Sequence, residues 1–255
     1  PDRSVNNNGL QVFGTVTKSA VATGADLVGY SGFSSSNYLQ QPNGLGSQIG
    51  TSDFSYMGWI NRANTSGTQR IIVLAEDASN ARAGIYSDSG NNNINFYTRD
   101  GGSQTNGATS SNVYSLNTWV FITCVRRGTR HEIYINGILT ASFVGLVRDL
   151  SSTTSKLTIG AGDYGSGAES PFNGSLALWR ISATAPTAEQ IAKMYNDEKY
   201  LFQEGAQATL YGTSDAVTAL AYDDDTELLH AGTSAGRSVF QGLRRVSNTT
   251  DAVGV

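Results

Sequence analysis

The chain has 255 residues, of which 15% are charged and 39% hydrophobic, with 29 glycines and a formal net charge of −4. So low a charged fraction leaves Ser, Thr, Asn and Gly to cover the surface, a composition of short strands and turns that argues against helical bundles and coiled coils. The acidic balance supplies no cationic field for nucleic acid or anionic lipid, and no apolar run approaches the roughly 18 residues of a membrane-spanning helix, so neither nucleic-acid binding nor membrane insertion is expected.

In chain order, residues 1–28 read as an N-terminal arm, polar and Gly-rich, with Asn6, Asn7 and Asn8 ahead of one alternating stretch at Leu10, Val12 and Val16. From Tyr30 to about Ile181, apolar and polar residues alternate with period 2 between Gly, Asn and Ser clusters. That pattern predicts strands over 54–61, 70–75, 94–98, 119–126, 131–136, 138–144, 157–160 and 175–181. Asn136-Gly137, between Tyr-Ile and Ile-Leu, predicts a type I′ hairpin, because that turn needs positive φ at both central residues. In its first strand Glu132, Tyr134 and Asn136 should form a wettable face opposite Ile133 and Ile135. So many strands without intervening helices imply an antiparallel sandwich or barrel.

Thr187-Ala-Glu-Gln has the form of a capping box, and Ile191, Met194 and Tyr195 recur at helical spacing behind it. A short buttress helix over about 187–200 follows, closing a domain of residues 29–204. Residues 205–255 form a further strand-rich segment, with three short strands expected and a tight acidic turn at Asp223, Asp224 and Asp225. Strands too few and too polar to bury themselves need a partner, so both this segment and the N-terminal arm are expected to contact other chains. The chain starts at Pro1 without an initiator methionine and ends on Asp-Ala-Val-Gly-Val, and it reads as a piece of a longer polypeptide.

The side chains that could carry chemistry are few. The single cysteine, Cys124, admits no internal disulfide and reads as a small buried hydrophobe; Trp59, Trp119 and Trp179 read as core. His131 and His230 lack a nucleophile-elbow sequence and read as surface or edge histidines. Arg126, Arg127 and Arg130 read as a solvated hairpin end rather than a binding patch. Asp77 with Asn80, Asp88 with Asn91, and Asp163 are candidate calcium ligands, although Asp and Asn bonding their own backbone in turns explains them equally. Tyr86 before Ser-Asp-Ser-Gly and Tyr164 in Gly-Asp-Tyr-Gly-Ser-Gly read as aromatics in flexible polar loops where a sugar ring could stack, so Tyr86, Asp163 and Tyr164 are the candidate ligand-binding residues.

Taken in order, Phe54-Ser-Tyr-Met-Gly-Trp-Ile, Asn117-Thr-Trp-Val-Phe-Ile, Glu132-Ile-Tyr-Ile-Asn-Gly, Leu157-Thr-Ile-Gly and Phe172-Asn-Gly-Ser-Leu-Ala-Leu-Trp-Arg-Ile, with the capped helix behind them, carry a resemblance. The chain resembles the laminin-G-like and pentraxin-like branch of the concanavalin A-like lectin/glucanase superfamily over about two thirds of its length. The resemblance implies an all-β, antiparallel two-sheet jelly-roll sandwich. It departs from that pattern at Leu176-Ala177, where relatives usually carry an acidic residue. The Glu-x-Asp-x-x-Glu spacing of the superfamily's glucanases is absent, and Glu76-Asp77 and Asp223–Asp225 offer no matched acid and nucleophile, so no enzyme is expected. Asp2-Arg-Ser-Val-Asn, the run from Ala22 to Ser34, Phe172 to Gln190 and the run from Thr213 to Asp225 look like bacteriophage tail-fibre-type virion proteins; the last also resembles a propeller blade cut short. This implies a virion location, other virion proteins and a host-surface glycan as partners, and a homotrimer. The alternatives are a decoration or cementing protein without a ligand site and a glycan hydrolase.

Overall fold

The computed structural model describes residues 9–41, 49–77, 81–100, 105–111, 114–165, 167–207, 209–214, 216–242 and 244–251. The chain divides into two compact units, one of residues 1–18 and 30–192, the other of residues 19–29 and 193–255.

The strands run β1 (Gln11–Phe13), β2 (Thr17–Ala20), β3 (Val28–Ser31), β4 (Tyr38–Gln41), β5 (Phe54–Arg62), β6 (Gln69–Ala75), β7 (Ala81–Ser87) and β8 (Asn95–Arg99). They continue as β9 (Thr105–Thr109), β10 (Trp119–Arg127), β11 (Arg130–Ile135), β12 (Ile138–Val144), β13 (Lys156–Ile159), β14 (Gly162–Asp163), β15 (Ala168–Glu169) and β16 (Gly174–Ser182). Two antiparallel sheets result, ordered β1-β4-β13-β6-β7-β8-β9 and β12-β11-β10-β5-β16-β3-β2, with β14 and β15 as a small ribbon. Alternation aims Phe54, Tyr56 and Ile60 of β5 and Val120, Ile122 and Cys124 of β10 at Ile72, Leu74, Ile85 and Phe96 of the other sheet, and these form one buried cluster. Phe54, Tyr56 and Phe96 meet edge to face, with Phe54 and Phe96 centroids 5.9 Å apart. The fold is the expected all-β, antiparallel sandwich, consistent with a concanavalin A-like jelly roll.

Asn136 and Gly137 take φ 50° and 81°, joining β11 to β12 with Ile135 opposite Ile138, as the dipeptide predicts. The capping box also forms: the Thr187 N–H donates to Gln190 Oε1 at 2.8 Å and the Gln190 N–H to Thr187 Oγ1 at 3.2 Å. It opens α1 (Ala188–Glu198), whose Ile191 is buried. In the second unit β17 (Val217–Asp223), β18 (Leu228–Thr233), β19 (Gly236–Gln241) and β20 (Arg244–Thr249) make a four-stranded meander. The fourth of these strands is one more than the sequence pattern shows. Asp223 closes the first turn by accepting the Asp225 N–H at 3.0 Å and the Thr226 hydroxyl at 2.6 Å.

Several expectations are corrected. The Glu132 and Tyr134 face is not wettable: Glu132 is only 6% exposed and accepts from the Tyr134 hydroxyl at 3.1 Å and Arg130 Nε at 2.9 Å. Arg126 is fully buried rather than solvated. It stacks 4.8 Å from the Phe54 centroid and donates to the carbonyls of Gly50, Ser52 and Arg148. His131 is likewise interior, with Nε2 2.8 Å from Thr98 Oγ1 and its ring between Phe96 and Phe143. Both side chains point between the sheets, where β8 covers His131 through Phe96 and Thr98 and the chain segments at Gly50, Ser52 and Arg148 cover Arg126. Trp59 is buried and Trp179 packs half-buried on the core, but Trp119 is half-buried outside that cluster.

Candidate binding face

The face of the β13-β6-β7-β8 layer turned away from the core carries a second cluster, of Val73, Ala75, Tyr97 and Tyr164 with Tyr86 beside it. Alternation along β7 sends Ala83 and Ile85 into the core and leaves Gly84 and Tyr86 on this outer face; β8 does the same with Phe96 inside and Tyr97 outside. Arg70 of β6 stands directly opposite Tyr86 of β7 in the ladder. Its guanidinium carbon lies 4.5 Å from the Tyr86 centroid and 5.7 Å from the Tyr164 centroid.

Two glycines shape this surface. A methyl group on Gly84 would fall 2.8 Å from the Tyr97 ring, so the ring lies down on β7 in the space a side chain would fill. At Gly162 it would meet the Tyr164 ring at 2.8 Å and the Arg70 stem at 3.1 Å. The Tyr97 and Tyr164 hydroxyls hydrogen-bond to each other, and the Tyr86 and Tyr97 rings meet edge to face at 6.0 Å. Burial pushes all three phenols up, so they remain neutral donors and acceptors at any physiological pH.

Polar groups ring the aromatics. Asp88 accepts from the side-chain amides of Asn93 at 2.8 Å and Asn95 at 3.0 Å, and Thr109 donates to Asn95 at 2.6 Å. Glu169 and Arg99 act electrostatically on Tyr164 from opposite signs. On the far side, Asp163 Oδ2 accepts Gln40 Nε2 at 2.8 Å and faces the Lys156 ammonium at 3.6 Å, while Oδ1 accepts the Gly165 N–H at 2.8 Å. Burial pushes the Asp163 carboxyl up, but these hydrogen bonds and the Lys156 charge outweigh it and hold the group below its ordinary value.

Tyr86, Asp163 and Tyr164 therefore share one region of the molecule, although their sequence positions span 78 residues. Tyr86 sits within a strand rather than in a loop. Arg70 and Tyr97 were missed by sequence reasoning; each looks like an ordinary strand residue, and only the ladder register brings them to the two flagged tyrosines. Of the candidate calcium ligands, Asp77 approaches the Asp163 turn, since a methyl group on Gly165 would lie 3.4 Å from its Cβ. Asn80 lies outside the described residues. Both Asp163 oxygens already accept from nitrogen donors. Among the described residues no group of three or more His, Cys, Asp or Glu side chains converges. Leu176 and Ala177, where an acidic residue was noted as missing, are both buried.

Solved structures share this fold. Domain 4 of AbnA, a GH43 extracellular arabinanase from Geobacillus stearothermophilus in complex with arabinotriose, superposes with TM-score 0.59 at 16% identity, over 75% of this chain and 91% of that one. The botulinum neurotoxin serotype D binding domain superposes with TM-score 0.60 at 17% identity, over 94% of this chain and 59% of that one. The binding domain of botulinum neurotoxin DC in complex with SialylT gives 0.59 at 15%, over 96% and 59%. This chain thus spans about three fifths of the toxin domains. No curated protein matches it in sequence. Residues 33–192, a span of 160 of the 255, match the family described as the Concanavalin A-like lectin/glucanases superfamily, and the chain belongs to that family.

Proposed function

We propose that the chain is a non-enzymatic, lectin-like module of a bacteriophage virion appendage of the tail-fibre type, and that it attaches to host-surface glycan through the face built by Arg70, Tyr86, Tyr97 and Tyr164. The observation that carries this reading is the half-buried Tyr86 ring, backed on one sheet face by the buried Tyr97 and Tyr164, with amides and carboxylates around them. Aromatic rings cover the apolar faces of a pyranose while the surrounding polar groups take its hydroxyls, the general form of a small-ligand site. Two fold neighbours point the same way, one holding arabinotriose and one holding SialylT. Glycoside hydrolysis has less support: Glu76 is tied to Arg82 at 2.6 Å, and Asp223 is spent on its own turn.

A single face of this size binds weakly, so attachment rests on several copies acting together. A homotrimer is proposed on the exposed apolar residues of β17, where Leu220 and Tyr222 remain 66% and 58% exposed. A cementing role without a ligand site gains support from the apolar stretch Ile138, Val144 and Leu146 along the β12 edge and just beyond it. A glycan array and a host-cell adsorption assay on the whole chain and on Tyr86→Ala separate these readings. Binding that falls about tenfold in the variant supports the lectin reading. Absence of binding by the wild type, with density on a shell lattice rather than a distal tip, replaces it with cementing.

A further inference from the structure

We infer that the face recognises an acidic sugar, one whose ring carries a carboxylate, and that Arg70 is the residue that takes that carboxylate. The inference rests on the glycan-binding reading above and names the class of ligand. Arg70 is half-buried, and its Nε is shut off from water with no acceptor. Among the described residues its guanidinium makes no ion pair, and it lies against the Tyr86 and Tyr164 rings. Other arginines that come away from solvent have a side-chain or carbonyl acceptor for at least part of the guanidinium, even where, as in Arg148, Nε itself is buried without one. Arg62 donates to Gln69 and to the carbonyls of Asp88 and Asn91, Arg126 to three backbone carbonyls, and Arg82 and Arg148 to Glu76 and Asp100. An N–H that loses water without gaining an acceptor is unfavourable unless something else completes it.

Its nearest protein carboxylates do not. Asp88 is occupied by the amides of Asn93 and Asn95, and Asp163 by Gln40, Gly165 and Lys156. Glu169 is exposed and registers on Tyr164 rather than in an ion pair with Arg70. Arg99 adds a second positive charge that acts on Tyr164. With tyrosines on its faces, the guanidinium offers its N–H edge, whose paired donors match the two oxygens of a carboxylate. Tyr86, half-buried and in edge contact with the buried Tyr97, is the ring left for the sugar to lie on beside that edge.

The test is calorimetric titration of the whole chain with two acidic sugars, sialyllactose and trigalacturonate, each against its neutral counterpart, lactose and carboxyl-reduced trigalacturonate. At least one acidic sugar is expected to bind roughly tenfold or more tightly than its counterpart, and to weaken as salt rises. Altering the ligand leaves the protein untouched, so folding does not confuse this comparison. Arg70→Gln should then erase the preference for the acidic member while keeping the affinity for the neutral one, with Arg70→Lys in between. Equal binding of acidic and neutral members overturns the inference and leaves the glycan-binding reading standing. Binding of neither class, on these sugars and on a broad array, overturns both.

Discussion

Protonation of His131 opposes folding. In the unfolded chain its imidazole titrates near the ordinary 6.5, whereas burial and the Arg126 charge push it down to about 4 in the fold. Between those values the unfolded chain takes up a proton that the folded chain refuses. Stability is therefore complete above about pH 6.5 and falls as pH drops toward 4, by up to about 3 kcal/mol. Glu76 and Asp163, held below their ordinary values, add their own loss further down the scale, as pH falls through the carboxylate range. Urea unfolding at a series of pH values should show the decline, and His131→Asn should remove the part between pH 6.5 and 4; an unchanged slope in the variant would place its origin elsewhere. Arg126 is a second residue whose worth lies in what it satisfies. Arg126→Met leaves the carbonyls of Gly50, Ser52 and Arg148 without their donor and should destabilise by about 3 kcal/mol in the same experiment. Neither residue's burial could be read from the sequence, because Arg and His at a hairpin end look alike whether or not distant segments, here β8 and the chain at Gly50, Ser52 and Arg148, come to cover them.

At the scale of elements, the strands with strong alternation and β-branched residues were legible, and those without were not. β12 matches its expected bounds, and β5, β6 and β10 differ by a residue. β7, Ala-Arg-Ala-Gly-Ile-Tyr-Ser, and β9, Thr-Asn-Gly-Ala-Thr, carry small and polar residues of low strand preference and form because their neighbours pair with them. That is why the binding face was only half visible. Tyr86 and Tyr164 stood out as aromatics, whereas Arg70 gains its role from the register that sets it against Tyr86. The glycine of β7 tests this directly: Gly84→Val would displace the Tyr97 ring, and we expect sugar affinity to fall at least tenfold together with a stability loss of about 1–3 kcal/mol, since that ring is only 8% exposed. Gly58 is the core counterpart. The β16 ladder slips between Ala177 and Arg180, Leu178 adopts φ 51°, and Trp179 comes to rest where a Gly58 side chain would stand, with ring atoms 2.5 to 2.8 Å from that point. Gly58→Ala should accordingly destabilise by about 1–3 kcal/mol without touching binding.

For the whole molecule, the question is what completes the strands that present apolar side chains to solvent. Val217, Leu220 and Tyr222 lie along β17, an edge strand of the meander, while Ala231, Val239 and Phe240 on the inner strands are buried. An edge that keeps unpaired backbone groups and exposes large apolar side chains tends to find a partner strand or face. In a homotrimer, that partner is the same region of a neighbouring copy, and three equivalent glycan faces then act in concert. Sedimentation of the whole chain at micromolar concentration should give a trimer, and Leu220→Glu should convert it to a monomer that keeps its circular dichroism spectrum and its single-site sugar affinity. Because avidity multiplies weak sites, the same variant should lose host-cell adsorption by far more than it loses in the single-site titration. A wild-type chain that stays monomeric at high concentration would remove the trimer, and adsorption undiminished in a proven monomer would remove the dependence on multiple copies.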